Sequence, residues 1–528
     1  MTTTTSAPGD TPGKTPGDTP VKITATHVIN FADPKSLEHL PSPFRLGPLD
    51  YLAHTGVPID LVYAYEKPDH EKTEDFIPIS RLREAISNLL NYYPHLTGRL
   101  AIDPSNGVRS ITKLGTGASL FEASCDQPLS PGEALIAPWD PSFDDKTGIQ
   151  RGPLLLIQRT QFKCGSVAIG YRISHAVCAA EGCLHLYQDL CDIYRKLSRR
   201  DIGTLDLPPH IIPWGAYRIT EGDTGEAPWA ITDPPPGFII SSQPGEALGG
   251  DADKHMKSTV TSDTAQEPHI PMVGTYLNFD PDELAHLQAK ATNPDDEDSW
   301  VSTFEALVAH LWQRTHQARV VVASDQAHRL TGHPRGVPLP KDCLPTPSLW
   351  TTGINFAHPS RFDFAGQSRG WGRSHYFPNA TLPVFFTLPH AEEDGLDLWD
   401  APLWQVARLI HDKMRHFDTF TSMEYAHIVC QWMCDLPDKR LAKVDFNLFG
   451  EWCFVNTDWS KYELYGERTA LDVEAVLAGP PFTKLSRLDG FTTFLKAMSG
   501  GIDVRLTTNE AASEYSTYWD GFTGRFRW

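Results

Sequence analysis

No stretch of this chain approaches the roughly eighteen consecutive apolar residues of a membrane-spanning helix, and its N-terminus has neither the apolar core of a secretory signal nor the Arg-rich pattern of a transit peptide. Basic charge is scarce. Lys and Arg number 46 against 66 Asp and Glu, a net charge of −20, which argues against nucleic acid or an anionic membrane as partner because both need clustered cations. The nine cysteines are an odd number without C-x-x-C spacing, so neither a disulfide framework nor a zinc ribbon is indicated, and reduced, mostly buried thiols are expected. G-x-S-x-G, P-loop and G-x-G-x-x-G patterns are also missing, which removes the common nucleophile elbow and phosphate cradles. These absences leave a cytoplasmic protein acting on a small molecule, without metal, as the expectation.

What is present is a long chain of 528 residues, 40% hydrophobic, enough for two or three cores or two packed halves. Residues 1–22, rich in Thr, Pro and Gly, read as a disordered tail. Leu82, Ala85, Ile86, Leu89 and Leu90 follow helical spacing and Pro94 ends it, predicting an amphipathic helix over 81–93. Leu154 to Phe162 and Ser166 to Ser174 flank Lys163-Cys164-Gly165 as two strands of a hairpin, and Leu184, Tyr187, Leu190, Cys191 and Tyr194 then resume helical spacing. His175 therefore falls where a strand hands over to a helix. From 205 to 270 the text turns to Pro, Gly and Asp without a period, and reads as a crossover linker between an N-terminal half, 23–204, and a C-terminal half, 271–528. In the second half Asp280 with Glu283, and Ser302 with Glu305, are capping boxes opening helices. Strand-like pieces fall near 381–387, 452–457 and 502–507, and a helix near 401–417.

Several segments, in order, resemble the BAHD acyltransferases in the broad form that includes fungal transferases. They are Leu46-Gly-Pro-Leu-Asp50, Leu89-Leu-Asn-Tyr-Tyr-Pro-His-Leu-Thr-Gly-Arg-Leu100, Ser174-His175-Ala176-Val177-Cys178-Ala179, the helix opening at Ser302, Tyr376-Phe-Pro-Asn-Ala380, and Leu488-Asp-Gly-Phe-Thr-Thr-Phe-Leu495 with Gly500-Gly-Ile-Asp-Val-Arg-Leu506. The resemblance covers about residues 25 to 520. It implies an α/β fold of two chloramphenicol-acetyltransferase-like mixed-sheet domains with a channel between them, and a monomer that uses an acyl-CoA co-substrate and a small-molecule acceptor. It also implies that His175 is the general base. An alcohol or amine attacks a thioester poorly until its proton is removed, and imidazole titrates in the right range to remove it.

The chain departs from that pattern in three places. Ala179 stands where the family's H-x-x-x-D has aspartate, and aligning Ile354-Asn355-Phe356-Ala357-His358 puts Ala357 where its arginine partner would be. Removing both partners of a buried pair can be nearly neutral, whereas removing one strands a charge. D-F-G-W-G is missing after Tyr465, and Gly370-Trp371-Gly372 comes too early in the chain to replace it. Glu181 in a first helical turn reads as a solvated or capping residue. Cys430 and Cys434 read as buried thiols, and His175, Cys178 and His185 as an improbable metal set, His185 lying well along the following helix. The leading expectation is acyl transfer from acyl-CoA to a hydroxyl or amine of a hydrophobic specialised metabolite. The alternative is a repurposed fold that cyclises, isomerises or condenses a polyketide- or terpenoid-like intermediate without CoA, and a third class is a binding or scaffolding protein without activity.

Overall fold

The computed structural model describes residues 21–129, 152–211, 233–245, 272–355, 379–388, 396–415, 423–446, 452–481, 488–514 and 525–527, apart from short breaks at 39, 54, 56, 69–74, 207, 210, 297–298, 333, 335–336, 341–342 and 345–347. The first eight strands are β1 (Val21–Ile29), β2 (Phe44–Arg45), β3 (Pro58–Tyr65), β4 (Arg99–Ile102), β5 (Arg109–Thr112), β6 (Ala118–Cys125), β7 (Leu155–Phe162) and β8 (Val167–Ser174). They are accompanied by helices α1 (Ile79–Tyr92) and α2 (Ala180–Ser198). Further along come β9 (Phe238–Ile240), β10 (Met272–Phe279), β11 (Ser348–Asn355), β12 (Thr381–Leu388), β13 (Ala442–Val444), β14 (Cys453–Trp459), β15 (Leu477–Gly479), β16 (Phe491–Lys496), β17 (Ile502–Asn509) and β18 (Arg525–Arg527). Their helices are α3 (Pro281–Lys290), α4 (Thr303–Thr331), α5 (Leu403–Arg415), α6 (Met423–Asp435) and α7 (Glu510–Glu514).

Two mixed sheets organise the molecule. The first has the order β1-β6-β7-β8-β3-β15 and the second β12-β11-β14-β16-β17-β10-β18. In the first, the β7–β8 hairpin turns at Gly165, whose φ of +86° is the left-handed region that glycine enters without strain. β8 is buried along its whole length because it is a central strand. Its Ile169, Tyr171 and Ile173 join Leu82, Ile86, Leu89 and Leu90 of α1 and Leu184, Tyr187 and Leu190 of α2 in one core. Full burial of each such side chain contributes roughly 1.5–3 kcal/mol, enough to fix which face of β8 looks inward and hence where its C-terminal end delivers the next residue.

In the second half both capping boxes form, Asp280 with Glu283 and Ser302 with Glu305. α4 runs on past Arg319 to Thr331 and stops at Gly332, whose φ is +77°. Ala306, Leu307, Leu311 and Trp312 of this helix pack with Trp350, Leu382, Phe454 and Val504 of the second sheet.

The halves are not contiguous in sequence. β15 pairs antiparallel with β3, and Trp459, Leu464, Leu471, Ala475 and Ala478 lie in the first core, covering a sheet edge that would otherwise present unpaired backbone groups. In return Leu49, Tyr51 and Leu52 enter the second core. Within 205–270, β9 pairs with β13 and Phe238 is buried in the second core, so this part of the expected linker is docked structure. β1 starts at Val21, inside the expected tail. Residues 1–20 and the Gly249–Asp253 run lie outside the described residues.

Candidate active site

β8 ends at Ser174, whose N–H still pairs with the Leu154 carbonyl at 3.0 Å, and the chain then turns so that Val177 N–H bonds the Ser174 carbonyl at 3.1 Å. His175 sits in that turn. Its N–H donates to the Val57 carbonyl at 3.3 Å and its carbonyl accepts from Asn379 Nδ2 at 2.8 Å, so the backbone is held from both sides. Nδ1 of the ring is buried and has no hydrogen-bond partner among the described residues. Burial lowers the imidazole below its ordinary range, and contacts with its own backbone, Asn379 and Cys178 only partly oppose this. The ring is therefore neutral near pH 7, the form that accepts a proton.

What remains accessible of His175 faces two cavities. One, of about 310 Å³, is mainly apolar, with Leu49, Leu52, Phe446, Pro480 and Phe491 in its wall. The other, of about 470 Å³, carries Glu181, Ser302, Asp458, Lys461 and Tyr462. His175 borders both, together with Ala180, Thr352, Gly353, Thr381, Thr457 and Trp459. Thr352 is tied to Asn456, and the Trp459 indole N–H donates to Thr457 Oγ1 at 3.0 Å. The histidine thus stands at a waist between two chambers of different polarity, with both sheets supplying the wall.

Two buried carboxylates flank it. Asp60 of β3 lies directly across from Arg172 of β8 and accepts Nε at 2.7 Å and Nη2 at 2.8 Å, a bidentate pair almost closed to solvent, with Asp60 on the apolar chamber. Asp50 accepts from Gly47 N–H at 2.7 Å, Asn379 N–H at 2.9 Å and Asn379 Nδ2 at 2.9 Å. Burial is the largest influence on Asp50 and raises it to about 6, while the Asn379 and Gly47 donors and the Arg109 charge pull it down. Arg109 Nη1 in turn bonds the Asp50 and Ala53 carbonyls, pinning the turn that carries Asp50.

Of the residues singled out from sequence, His175 is at the strand end, and Ala179 is the extended residue preceding α2, beside the polar chamber. Glu181 differs from its reading as a solvated or capping residue. It reaches across to the second sheet and accepts from Asn355 Nδ2 of β11, because the first turn of α2 abuts that sheet. Ala357, Gly370–Gly372 and Tyr376–Pro378 lie outside the described residues; Asn379, at the end of that last motif, does not. Cys430 is a buried thiol on α6, raised by burial, with Cys434 half-buried one turn on. None of the nine cysteines is in a disulfide, and among the described residues no group of three or more His, Cys, Asp and Glu side chains could hold a metal. No described helix is long and apolar enough to cross a membrane. Asp60, Arg172 and the shared threonines were not singled out by sequence reasoning. Asp50 and Asn379 carried a signal only as members of motifs.

Residues 19–202 match the family described as Transferase family. Taxadien-5-alpha-ol O-acetyltransferase of Taxus chinensis is 32% identical over 152 residues, 25% of this chain and 34% of that protein. Shikimate O-hydroxycinnamoyltransferase of Nicotiana tabacum is 25% identical over 347 residues, 64% of this chain and 65% of that protein. The chain therefore spans about a third of the first relative and somewhat under two thirds of the second. Among solved structures, F. graminearum TRI101 complexed with coenzyme A and T-2 mycotoxin superposes with a TM-score of 0.61 at 14% identity, covering 92% of this chain and 99% of that one. At that identity the likeness speaks for the fold, which is the two-domain α/β arrangement expected from sequence.

Proposed function

Because the chain is a divergent member of the Transferase family, the BAHD acyltransferases, with the matching two-domain fold, we propose that it moves an acyl group from an acyl-CoA to a hydroxyl or amine of a hydrophobic small molecule. The observation that carries this reading is that His175 borders two chambers at once. A transferase has to bring two reactants to one proton acceptor, and holding both at a waist replaces an encounter in solution by a positioned attack. The polar chamber suits the amide-bearing pantetheine arm of CoA, and the apolar chamber suits a hydrophobic acceptor.

His175 takes the proton of the attacking hydroxyl or amine as the new C–O or C–N bond forms. When the C–S bond breaks, it returns that proton to the leaving thiolate. Thr381 and Thr457 border both chambers, and a hydroxyl of either would serve as donor to the oxyanion formed between those steps. Neither the lost aspartate nor its arginine partner reacts in this scheme, so Ala179 is compatible with it.

The test is a mass-spectrometric screen of acyl-CoA donors against panels of hydrophobic alcohols and amines, with wild type and His175→Ala side by side. Acyl product that depends on His175 supports the reading. No product from any pairing, together with no CoA binding, sinks it, and turnover of a single substrate without CoA would favour the cyclase or isomerase alternative.

A further inference from the structure

The imidazole of a general base is commonly held by a hydrogen bond to its second nitrogen. Here Nδ1 of His175 makes no hydrogen bond of good geometry among the described residues, its polar neighbours being its own backbone, Asn379 and Cys178, and Ala179 stands where the family pattern has aspartate. What the structure holds instead is the main chain of His175, at both its polar atoms. The N–H is tied to Val57 within the first half, and the carbonyl is tied to Asn379, 204 residues away, at the entrance to β12.

Asn379 is itself fixed. Its Nδ2 and its backbone N–H both donate to one oxygen of Asp50, and the other oxygen of Asp50 accepts from Gly47. Asp50 belongs to the first half by sequence, but its neighbours Leu49, Tyr51 and Leu52 are packed in the second core, and Arg109 holds the carbonyls on either side of the turn. Asp50 is 1% and Asn379 3% exposed, so these bonds are made away from competing water. The result is a short chain of contacts from the second core, through Asp50 and Asn379, to the carbonyl of the residue whose ring stands between the chambers.

We propose that Asp50 and Asn379 are positioning residues for His175, an inter-half clamp acting through its backbone carbonyl and doing the orienting work left undone by the missing aspartate and arginine. This rests on the reading of His175 as the base. Neither residue transfers a proton; each fixes where the imidazole sits at the waist.

The clamp is tested in the full chain with Asn379→Ala and Asp50→Asn, using Lys22→Ala, at an exposed ion pair with Asp126, as control. One readout is independent of any substrate: the rate at which diethyl pyrocarbonate modifies His175, followed by mass spectrometry of the peptide that carries it. The proposal expects Asn379→Ala to change that rate by about threefold or more, and to lower kcat for acyl transfer about tenfold with KM within about twofold. Asp50→Asn, which keeps one acceptor oxygen, should act in the same direction more weakly, and Lys22→Ala should leave both readouts at wild-type values. Unchanged His175 reactivity in folded Asn379→Ala, or a loss confined to KM, overturns the clamp. Should Asn379→Ala fail to fold, Asp50→Asn is judged by the same criteria. If wild type yields no acyl product, the transferase reading falls, while the modification rates still decide whether Asn379 and Asp50 hold His175.

Discussion

The two chambers that meet at His175 differ in what their walls are made of, and so in what each can do. The apolar one is walled mainly by Leu49, Leu52, Phe446, Pro480 and Phe491, and its two charged neighbours are Asp60, paired with Arg172, and Arg505, which donates to the Pro480 carbonyl. The other presents Glu181, Asp458, Lys461 and Ser302. A single-substrate pocket has no need of such a division. Two reactants of unlike polarity do, and among the described residues the titratable side chain that borders both sides is the neutral imidazole.

The comparison breaks most visibly if His175 is removed. His175→Ala should lower acyl transfer by about 10²–10⁴-fold, the usual worth of a positioned acid/base group, while leaving CoA affinity in equilibrium binding nearly unchanged. Next comes the wall of the apolar chamber. Arg172→Met leaves Asp60 as a buried, uncompensated charge and should cost about 3–5 kcal/mol in denaturant unfolding, whereas replacing Asp60 and Arg172 together by apolar residues should restore much of that.

Titration probes the Asp50 anchor. Asp50 is raised to about 6, so the folded state binds its proton before the unfolded state does, and this group adds stability as pH falls from 6 towards 4. His95 and His310 act oppositely. Burial lowers both to about 3, so they cost stability as pH falls below the ordinary 6.5. Asp50→Asn removes a group that offsets them, and the variant should lose about 2–3 kcal/mol relative to wild type between pH 6 and 4, measured by urea unfolding at each pH. The smallest effect sharpens the assignment of the chambers: Lys461→Ala should raise KM for the acyl donor a few-fold and spare the acceptor, and Phe491→Ala should do the reverse, each worth about 1 kcal/mol in steady-state kinetics.

Much of this was legible in the sequence because its causes are local. Two strand-like runs flanking Lys163-Cys164-Gly165 announced the hairpin, and two capping boxes announced α3 and α4 at their first residues. His175 stood out because a strand pattern stopped and a helical one began beside it. What could not be read is non-local. Arg172 gave no sign of pairing with Asp60, 112 residues earlier, since that contact depends on strand register. Asn379 could be recognised as part of a motif, yet nothing in its neighbours says that it reaches the carbonyl of His175. The pairing of β15 with β3 across more than four hundred residues is unreadable for the same reason, being a choice made by an open sheet edge. Glu181 was misread because a helix's first turn looks solvated until a second sheet is packed beside it.

The most direct test of His175 at the meeting point of two substrates is a crystal structure of the full chain with coenzyme A. The account predicts the pantetheine arm threaded through the polar chamber, with its sulfur within hydrogen-bond reach of the His175 ring or one water from it, and the apolar chamber left open for an acceptor. Coenzyme A bound away from His175, or filling the apolar chamber, would contradict it.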